Sequence, residues 1–333
     1  MKALLSEAAG GPESLVLAEV PESKPGLGQV RLRVHACGLG FPDLLVMNDQ
    51  YQTRPPRPFS PGGEVAGVVE AVGPGVSGLE AGQRVIGWCF WGGLAEQLVI
   101  DADRCIPIPD GMPMDDAASL VLSYATAYYA LHERGRLQKG NTLLVTGASG
   151  GTGVAAVVLG KAWGARVVAA TSSLEKLSFA LKHGADVGLV YPTVLGKDAS
   201  RQFVQALERA VGRAGADVVF DPVGGELAQS CMRAIGWEGR YLVIGFAAGV
   251  PKLPLNLVLL KGCQVVGVSS GEWIERDRAG FDAAVRGLLD LYRQGLLRPP
   301  ISARFPLACG AEALALLARR EALGKVIVTM DGS

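Results

Sequence analysis

Apolar positions in the first third of the chain come in short runs, several alternating with polar residues. Leu15–Glu19 and Gln29–Ala36 fit β-strands, with Pro-Gly loops such as Lys24-Pro25-Gly26 between them. Gly62–Gly73 (GGEVAGVVEAVG) predicts a strand that other backbone approaches closely at its glycines. Arg84–Trp88 and Ala95–Ile100 predict two more, ahead of the proline-rich Ile106-Pro107-Ile108-Pro109. Met1 to Leu122 therefore predicts a partly closed, mostly β domain. At Met114 the period changes. Leu120, Tyr124, Ala127, Tyr128 and Leu131 recur at helical spacing behind Asp115 and Asp116, which predicts a helix over Met114–Arg134.

From Gly140 the pattern is that of a parallel sheet with helical crossovers. Thr142–Thr146 is a short apolar, β-branched run, as a buried parallel strand should be. Gly147, Gly150, Gly151 and Gly153 crowd the turn after it. Val154–Trp163 is apolar enough for a helix packed on a sheet, and Arg166–Thr171 is the next strand. Strands are also predicted at Val187–Tyr191, Asp217–Asp221, Arg240–Phe246 and Gln264–Val268, with an amphipathic helix at Ala199–Val211. Phe281–Gln294 and Ala311–Arg320 read as helices and Lys325–Met330 as a last strand. The fold class is α/β: a doubly wound parallel sheet beside a smaller β domain. A sheet complete near Ser269 sends the tail back to the first domain. The expected division is 1–122 with 270–333, and 123–269.

The strand–turn–helix–strand unit from Asn141 to Gly184 carries the chemistry. Glycines let backbone approach a pyrophosphate, and a helix N-terminus offers unpaired N–H groups and a positive dipole end. A glycine-rich turn alone is weak, but here it follows a strand and opens a helix, the context the motif needs. The end of the second strand selects the cofactor. An NAD-binding unit places Asp or Glu there for the ribose 2′-hydroxyl. This chain has Thr171-Ser172-Ser173-Leu174-Glu175-Lys176 instead. Small hydroxyl residues leave room for a 2′-phosphate, and Lys176 supplies a point charge. NADPH is the expected cofactor. A capping box, with Ser172 capping the helix and Glu175 reaching back, accounts for the same residues and is compatible with it.

Composition changes little. The 333 residues suffice for two cores. Lys plus Arg and Asp plus Glu each number 32, so no net field draws the chain to nucleic acid or an anionic membrane. The start, MKALLSEAAGG, lacks the apolar core of a signal peptide, and no run is long enough to span a bilayer. Six scattered cysteines without a C-x-x-C pair read as free thiols. The expectation is a cytoplasmic protein with a small-molecule substrate.

A β domain, this nucleotide unit and a returning tail together resemble the medium-chain dehydrogenase/reductase superfamily. Within it the chain is similar to the zinc-free NADPH:quinone oxidoreductase branch that includes zeta-crystallin. The likeness covers nearly the whole length. It rests on GFPDLLVMNDQYQ (Gly40–Gln52), PGGEVAGVVEAVG (Pro61–Gly73), YATAYYAL (Tyr124–Leu131), GASGGTG (Gly147–Gly153), DPVGG (Asp221–Gly225) and GKVIV (Gly324–Val328). It implies a GroES-like first domain and a Rossmann-type second. It implies a pyrophosphate turn at Gly150, Gly151 and Thr152, and a 2′-phosphate pocket of Ser172, Ser173, Lys176, Tyr191 and Arg320. Thr126, Phe246 and Val268 would lie by the nicotinamide, and Tyr51 at the substrate cleft. Where zinc-dependent relatives carry Cys and His, this chain has Gly40 and Gly63, which hold no ligand atom. The family also commonly has Asn at the position of Gly40, and some members Tyr where this chain has Leu45.

A short-chain dehydrogenase also fits the glycine turn, but it needs Tyr-x-x-x-Lys, and none of the seven tyrosines has that lysine. The expected activity is hydride transfer from NADPH to a quinone or a small α,β-unsaturated carbonyl, independent of zinc. The alternatives are an enoyl-thioester reductase and a non-enzymatic NADPH-binding protein of crystallin or RNA-binding type, the latter disfavoured by the neutral charge. The apolar stretch Val250–Val268 suggests a sheet edge that pairs two subunits into a homodimer.

Overall fold

The alternation near residue 30 becomes an eleven-residue strand, Gln29–Leu39, in the computed structural model, which describes residues 1–192 and 197–330. In chain order the first elements are β1 (Lys2–Ser6), β2 (Leu15–Glu19), β3 (Gln29–Leu39), α1 (Phe41–Met47), β4 (Glu64–Val72), β5 (Arg84–Trp88), β6 (Gln97–Asp101), β7 (Cys105–Pro107) and α2 (Met114–Ala117). Then follow α3 (Thr126–Tyr128), β8 (Thr142–Thr146), α4 (Gly151–Ala162), β9 (Arg166–Thr171), α5 (Leu174–Lys182) and β10 (Val187–Val190). The sheet continues through α6 (Lys197–Val211), β11 (Ala216–Asp221), α7 (Leu227–Ala234), β12 (Ile235–Val243), α8 (Leu255–Lys261) and β13 (Gln264–Gly267). The last elements are α9 (Ser270–Arg276), α10 (Arg278–Arg293), β14 (Ile301–Pro306), α11 (Gly310–Ala318) and β15 (Lys325–Thr329). They form two compact units, Met1–Leu122 with Pro299–Ser333, and Ser123–Arg298.

In the first unit β3 is central. Its sheet runs β14-β15-β3-β4-β5-β7, and β6 pairs with β3 as well. Val30, Leu32, Val34 and Ala36 are buried on alternate positions, as on the core side of a half-covered strand. Val30, Leu32 and Val34 each contribute about 1.5–3 kcal/mol by leaving water. The returning β15 lies antiparallel on the far half of β3, with Val328 opposite Cys37. Gly38 is required there, because a Cβ would come within 1.7 Å of the Ala118 carbonyl oxygen.

In the second unit six parallel strands run β10-β9-β8-β11-β12-β13, the doubly wound order in which the chain reverses between β8 and β11. Leu143, Leu144, Val145, Val167 and Val168 are fully buried, because helices cover both faces of such a sheet.

Two expectations are corrected. The helix expected over Met114–Arg134 is not continuous: α2 ends at Ala117, and π-helical turns at Val121–Ala125 and Tyr129–Arg134 flank α3. At the first of these turns the Glu64 carboxylate accepts the Leu122 N–H at 3.0 Å, a side-chain partner from outside the helix. The chain returns to the first unit at Pro299, not near residue 270. Aromatic packing retains α9 and α10 in the second unit: Trp273 stacks on Tyr129 at 4.4 Å, and Phe281 meets Trp273 edge-on. Among the described residues no helix is long and apolar enough to cross a membrane.

Candidate functional site

The glycine turn between β8 and α4 is built for close approach. Gly147 adopts φ +56°, and a Cβ at Gly153 would meet the Gly147 carbonyl oxygen at 2.1 Å. Only glycine permits both. Gly160 does the same for packing, since a Cβ there would press on Leu143 of β8 at 2.6 Å. Gly150 is the N-cap of α4 and has no side chain to cap it. The first N–H groups of the helix, at Gly151 and Thr152, therefore face an open turn with the positive end of the helix dipole behind them.

One strand over, the end of β9 gathers the hydroxyl and cationic residues. Ser173, rather than Ser172, is the N-cap of α5, and its Oγ accepts the Lys176 N–H at 3.3 Å. Ser172 is instead left to Lys176, whose Nζ donates to Ser172 Oγ at 3.0 Å. Tyr191 follows β10 and donates its N–H to the Thr171 carbonyl at 2.8 Å, which places it beside the same strand end. Its ring meets Phe203 edge-on. Ser172, Ser173, Lys176 and Tyr191 are thus brought together. Arg320 belongs to the first unit, where it follows α11 in a left-handed conformation (φ +58°).

Asp221 organises the carboxyl ends of the three central strands. This buried carboxylate ends β11. Its Oδ1 accepts the Thr146 hydroxyl of β8 and the N–H groups of Val223 and Gly224, the latter two at 2.9 and 3.0 Å. Its Oδ2 accepts the Tyr241 hydroxyl of β12. Burial and this carboxylate push the Tyr241 phenol far above its ordinary range. The Asp221-Pro222-Val223-Gly224-Gly225 turn in turn holds residues 245–249. Ala248 N–H donates to Val223 at 2.7 Å and Gly225 N–H to Gly249 at 2.8 Å. Phe246 sits in that turn and is half exposed. Val268 donates its N–H to the Val243 carbonyl at 3.0 Å, just past β13. Thr126 Oγ1 donates to Ser270 Oγ at 3.0 Å, a partner 144 residues away that no pattern announces.

The first unit holds a second polar cluster. Asp43 at the start of α1 is buried and accepts the Gly40 N–H at 2.7 Å, and it also bonds the backbone of Gly62 and Gly63. Burial raises its carboxyl to about 6. Glu64 and Lys325 pair at 3.2 Å with almost no exposure. Tyr51 is partly buried, and burial followed by the Asp43 charge pushes its phenol up.

Residues 26–110 match the alcohol dehydrogenase GroES-like domain, and residues 151–286 match the zinc-binding dehydrogenase model. The quinone oxidoreductase-like protein 2 of Rattus norvegicus is 38% identical over 96% of this chain and 89% of its own length. The chain belongs to the quinone oxidoreductase family of medium-chain dehydrogenases/reductases. Among solved structures of this family, the quinone oxidoreductase of Thermus thermophilus, also solved in complex with NADPH, shares 32% identity. It matches with a TM-score of 0.84, covering 99% of this chain and 100% of that one. The Escherichia coli quinone oxidoreductase complexed with NADPH matches at 25% identity with a TM-score of 0.90, over 99% and 100% of the two chains.

One matched family model carries zinc in its description, and a catalytic zinc takes three protein ligands. Among the described residues no group of three or more His, Cys, Asp or Glu is placed to hold a metal ion. The region that includes Gly62 and Gly63 is also closed by packing. A Cβ at Gly62 would meet Cys37 Sγ at 2.5 Å, and one at Gly63 would meet the Cys89 carbonyl oxygen at 3.0 Å. The residues present do not fit a catalytic zinc in this quinone oxidoreductase-family chain.

Proposed function

We propose that this protein is an NADPH-dependent oxidoreductase that transfers hydride to a quinone or a small α,β-unsaturated carbonyl and works without zinc. The observation that carries the reading is the strand end after β9, where Lys176 lies on Ser172 and hydroxyl residues stand in place of the acid that would select a ribose hydroxyl. NADPH-bound relatives of the same fold support it.

The open N-terminus of α4, with Gly150, Gly151 and Thr152, binds the pyrophosphate. Ser172, Ser173, Lys176 and Tyr191 receive the 2′-phosphate, where hydroxyls and a cation are apt donors to a dianion. Thr126, Phe246 and Val268 orient the nicotinamide ring. When bound, NADPH supplies the hydride. Held there it would supply a hydride for the β-carbon of a conjugated carbonyl, with Tyr51 or water supplying the proton for the α-carbon. For a quinone, protons reach the oxygens from solvent. With its phenol pushed up, Tyr51 keeps its proton across neutral pH. Asp43 holds the Gly40 and Gly62–Gly63 backbone in place and does not donate.

Steady-state oxidation of NADPH with quinones, enones and crotonyl-CoA tests this. Turnover of quinones or enones is the expected result. Crotonyl-CoA as the sole good acceptor would make the protein an enoyl-thioester reductase, and binding of NADPH without any turnover would make it a binding protein.

We also propose a homodimer built on the β13 edge, in a reducing, cytoplasmic setting that suits six free cysteines. Among the described residues β13 ends the sheet with one side unpaired and Val265 exposed, and α8 before it displays Leu255 and Leu259, 72% and 81% exposed. A second copy adding strand to strand covers both. Light scattering on Val265→Lys should report monomers where the unmodified chain gives dimers.

A further inference from the structure

A groove of about 900 Å³ opens on the second unit at the amino ends of β11 and β12, the opposite end of the sheet from the glycine turn. Arg209, Arg213, Arg233 and Lys261 line it, with Glu208 as the single acid. In a chain of zero net charge this is a local excess of positive charge.

Cations gather at helix C-termini to answer the negative dipole end, and three helices, α6, α7 and α8, end here. Other groups already meet that need. Arg166 donates to the carbonyls of Ala210 and Val211 at the end of α6, at 2.7 and 3.4 Å. Lys261 Nζ donates to the carbonyls of Arg233 and Ile235 at the end of α7, at 2.5 Å each. The guanidinium groups of Arg209, Arg213 and Arg233 make no hydrogen bond or ion pair among the described residues. Their charge goes uncompensated. Burial first and Arg233 among the remaining causes hold the Lys261 ammonium below its ordinary range.

The wall beside them is an aromatic platform. β12 pairs with β11 at Ile235 opposite Ala216 and next at Arg240 opposite Val218, so residues 236–239 bulge out of register. Glu238 takes φ +56° to make the bulge, and Trp237 is left 71% exposed with one edge against Gly262. The floor is bare backbone at Gly215 and Gly236. A Cβ on Gly215 would meet Gly236 N at 2.6 Å, and one on Gly236 would meet the Ala214 carbonyl oxygen at 2.4 Å.

Guanidinium forks match phosphate oxygens, and an exposed indole face matches a flat heterocycle. We propose that this groove is a second ligand site, separate from the glycine turn, for a nucleotide-type anion. Its base stacks on Trp237 and its phosphates lie against Arg209, Arg213 and Arg233. The assignment stands apart from the proposed hydride transfer.

Calorimetric titration of ADP into the full chain saturated with NADPH tests it, because the cofactor site is then closed to the probe. One ADP should bind per chain, more weakly as salt is added. The double variant Arg213→Glu, Arg233→Glu should weaken binding by about tenfold or more, and Trp237→Ala should weaken ADP more than inorganic pyrophosphate. Both variants should keep the unmodified KM for NADPH, which reports an intact fold. Loss of the ADP signal on NADPH saturation, or unchanged ADP affinity in the arginine variant, would overturn the proposal.

Discussion

Lys325 Nζ lies 3.2 Å from Glu64 Oε2, and neither side chain is more than 3% exposed. The pair fastens β15 to β4, and the other Glu64 oxygen accepts the Leu122 N–H. Removing the lysine alone leaves a carboxylate buried without its cation. Lys325→Met should therefore lower the unfolding free energy by about 3–5 kcal/mol in urea titrations. Adding Glu64→Leu should restore only part of it, because the Leu122 N–H still loses its acceptor.

Asp43 gives the first unit a pH dependence of definite sign. Burial raises its folded carboxyl to about 6 from an ordinary 3.8. A raised value means the native state favours the protonated form. Its contribution is fully present below about pH 4 and is lost as pH rises through about 6. The unfolding free energy of the unmodified protein, taken relative to Asp43→Asn, should fall by about 2 kcal/mol between pH 4 and pH 7. A flat difference across that window would show that burial does not govern this carboxyl.

Asp221 joins the glycine turn, through Thr146, to the turn that carries Phe246. Asp221→Ala strands the Thr146 and Tyr241 hydroxyls and the Val223 and Gly224 N–H groups. The KM for NADPH should rise by about tenfold or more while the KM for the acceptor changes little. Tyr241→Phe removes one of four donors and should have the smaller effect.

Much of this was legible in the chain itself, for local reasons. β8, α4 and β9 are set by an apolar run, a crowded glycine turn and a second apolar run, all within thirty-odd residues, and their physics is short-range. That Ser172 and Ser173, not an acid, directly follow β9 was equally plain. What escaped depended on distant partners. Glu64 bonds the Leu122 N–H where the expected helix breaks, although 58 residues separate the two. Glu64 and Lys325 are 261 positions apart. α1 is seven residues long with a proline in its first turn, too short to show a period. α8 hides in an apolar stretch that reads as a sheet edge, because a short, largely apolar run shows no clear helical face. Ser173 rather than Ser172 caps α5, and the sequence allows either.

The most direct test of the central claim is the ratio of kcat/KM for NADPH over NADH, measured with one quinone in the unmodified protein and in Lys176→Ala. A strong preference for NADPH is expected, and it should fall by about tenfold or more in the variant while the NADH value stays nearly constant, as loss of one charge-assisted bond to phosphate requires. Equal use of both cofactors by the unmodified protein, or a preference that Lys176→Ala leaves intact, would contradict the reading of the strand end after β9.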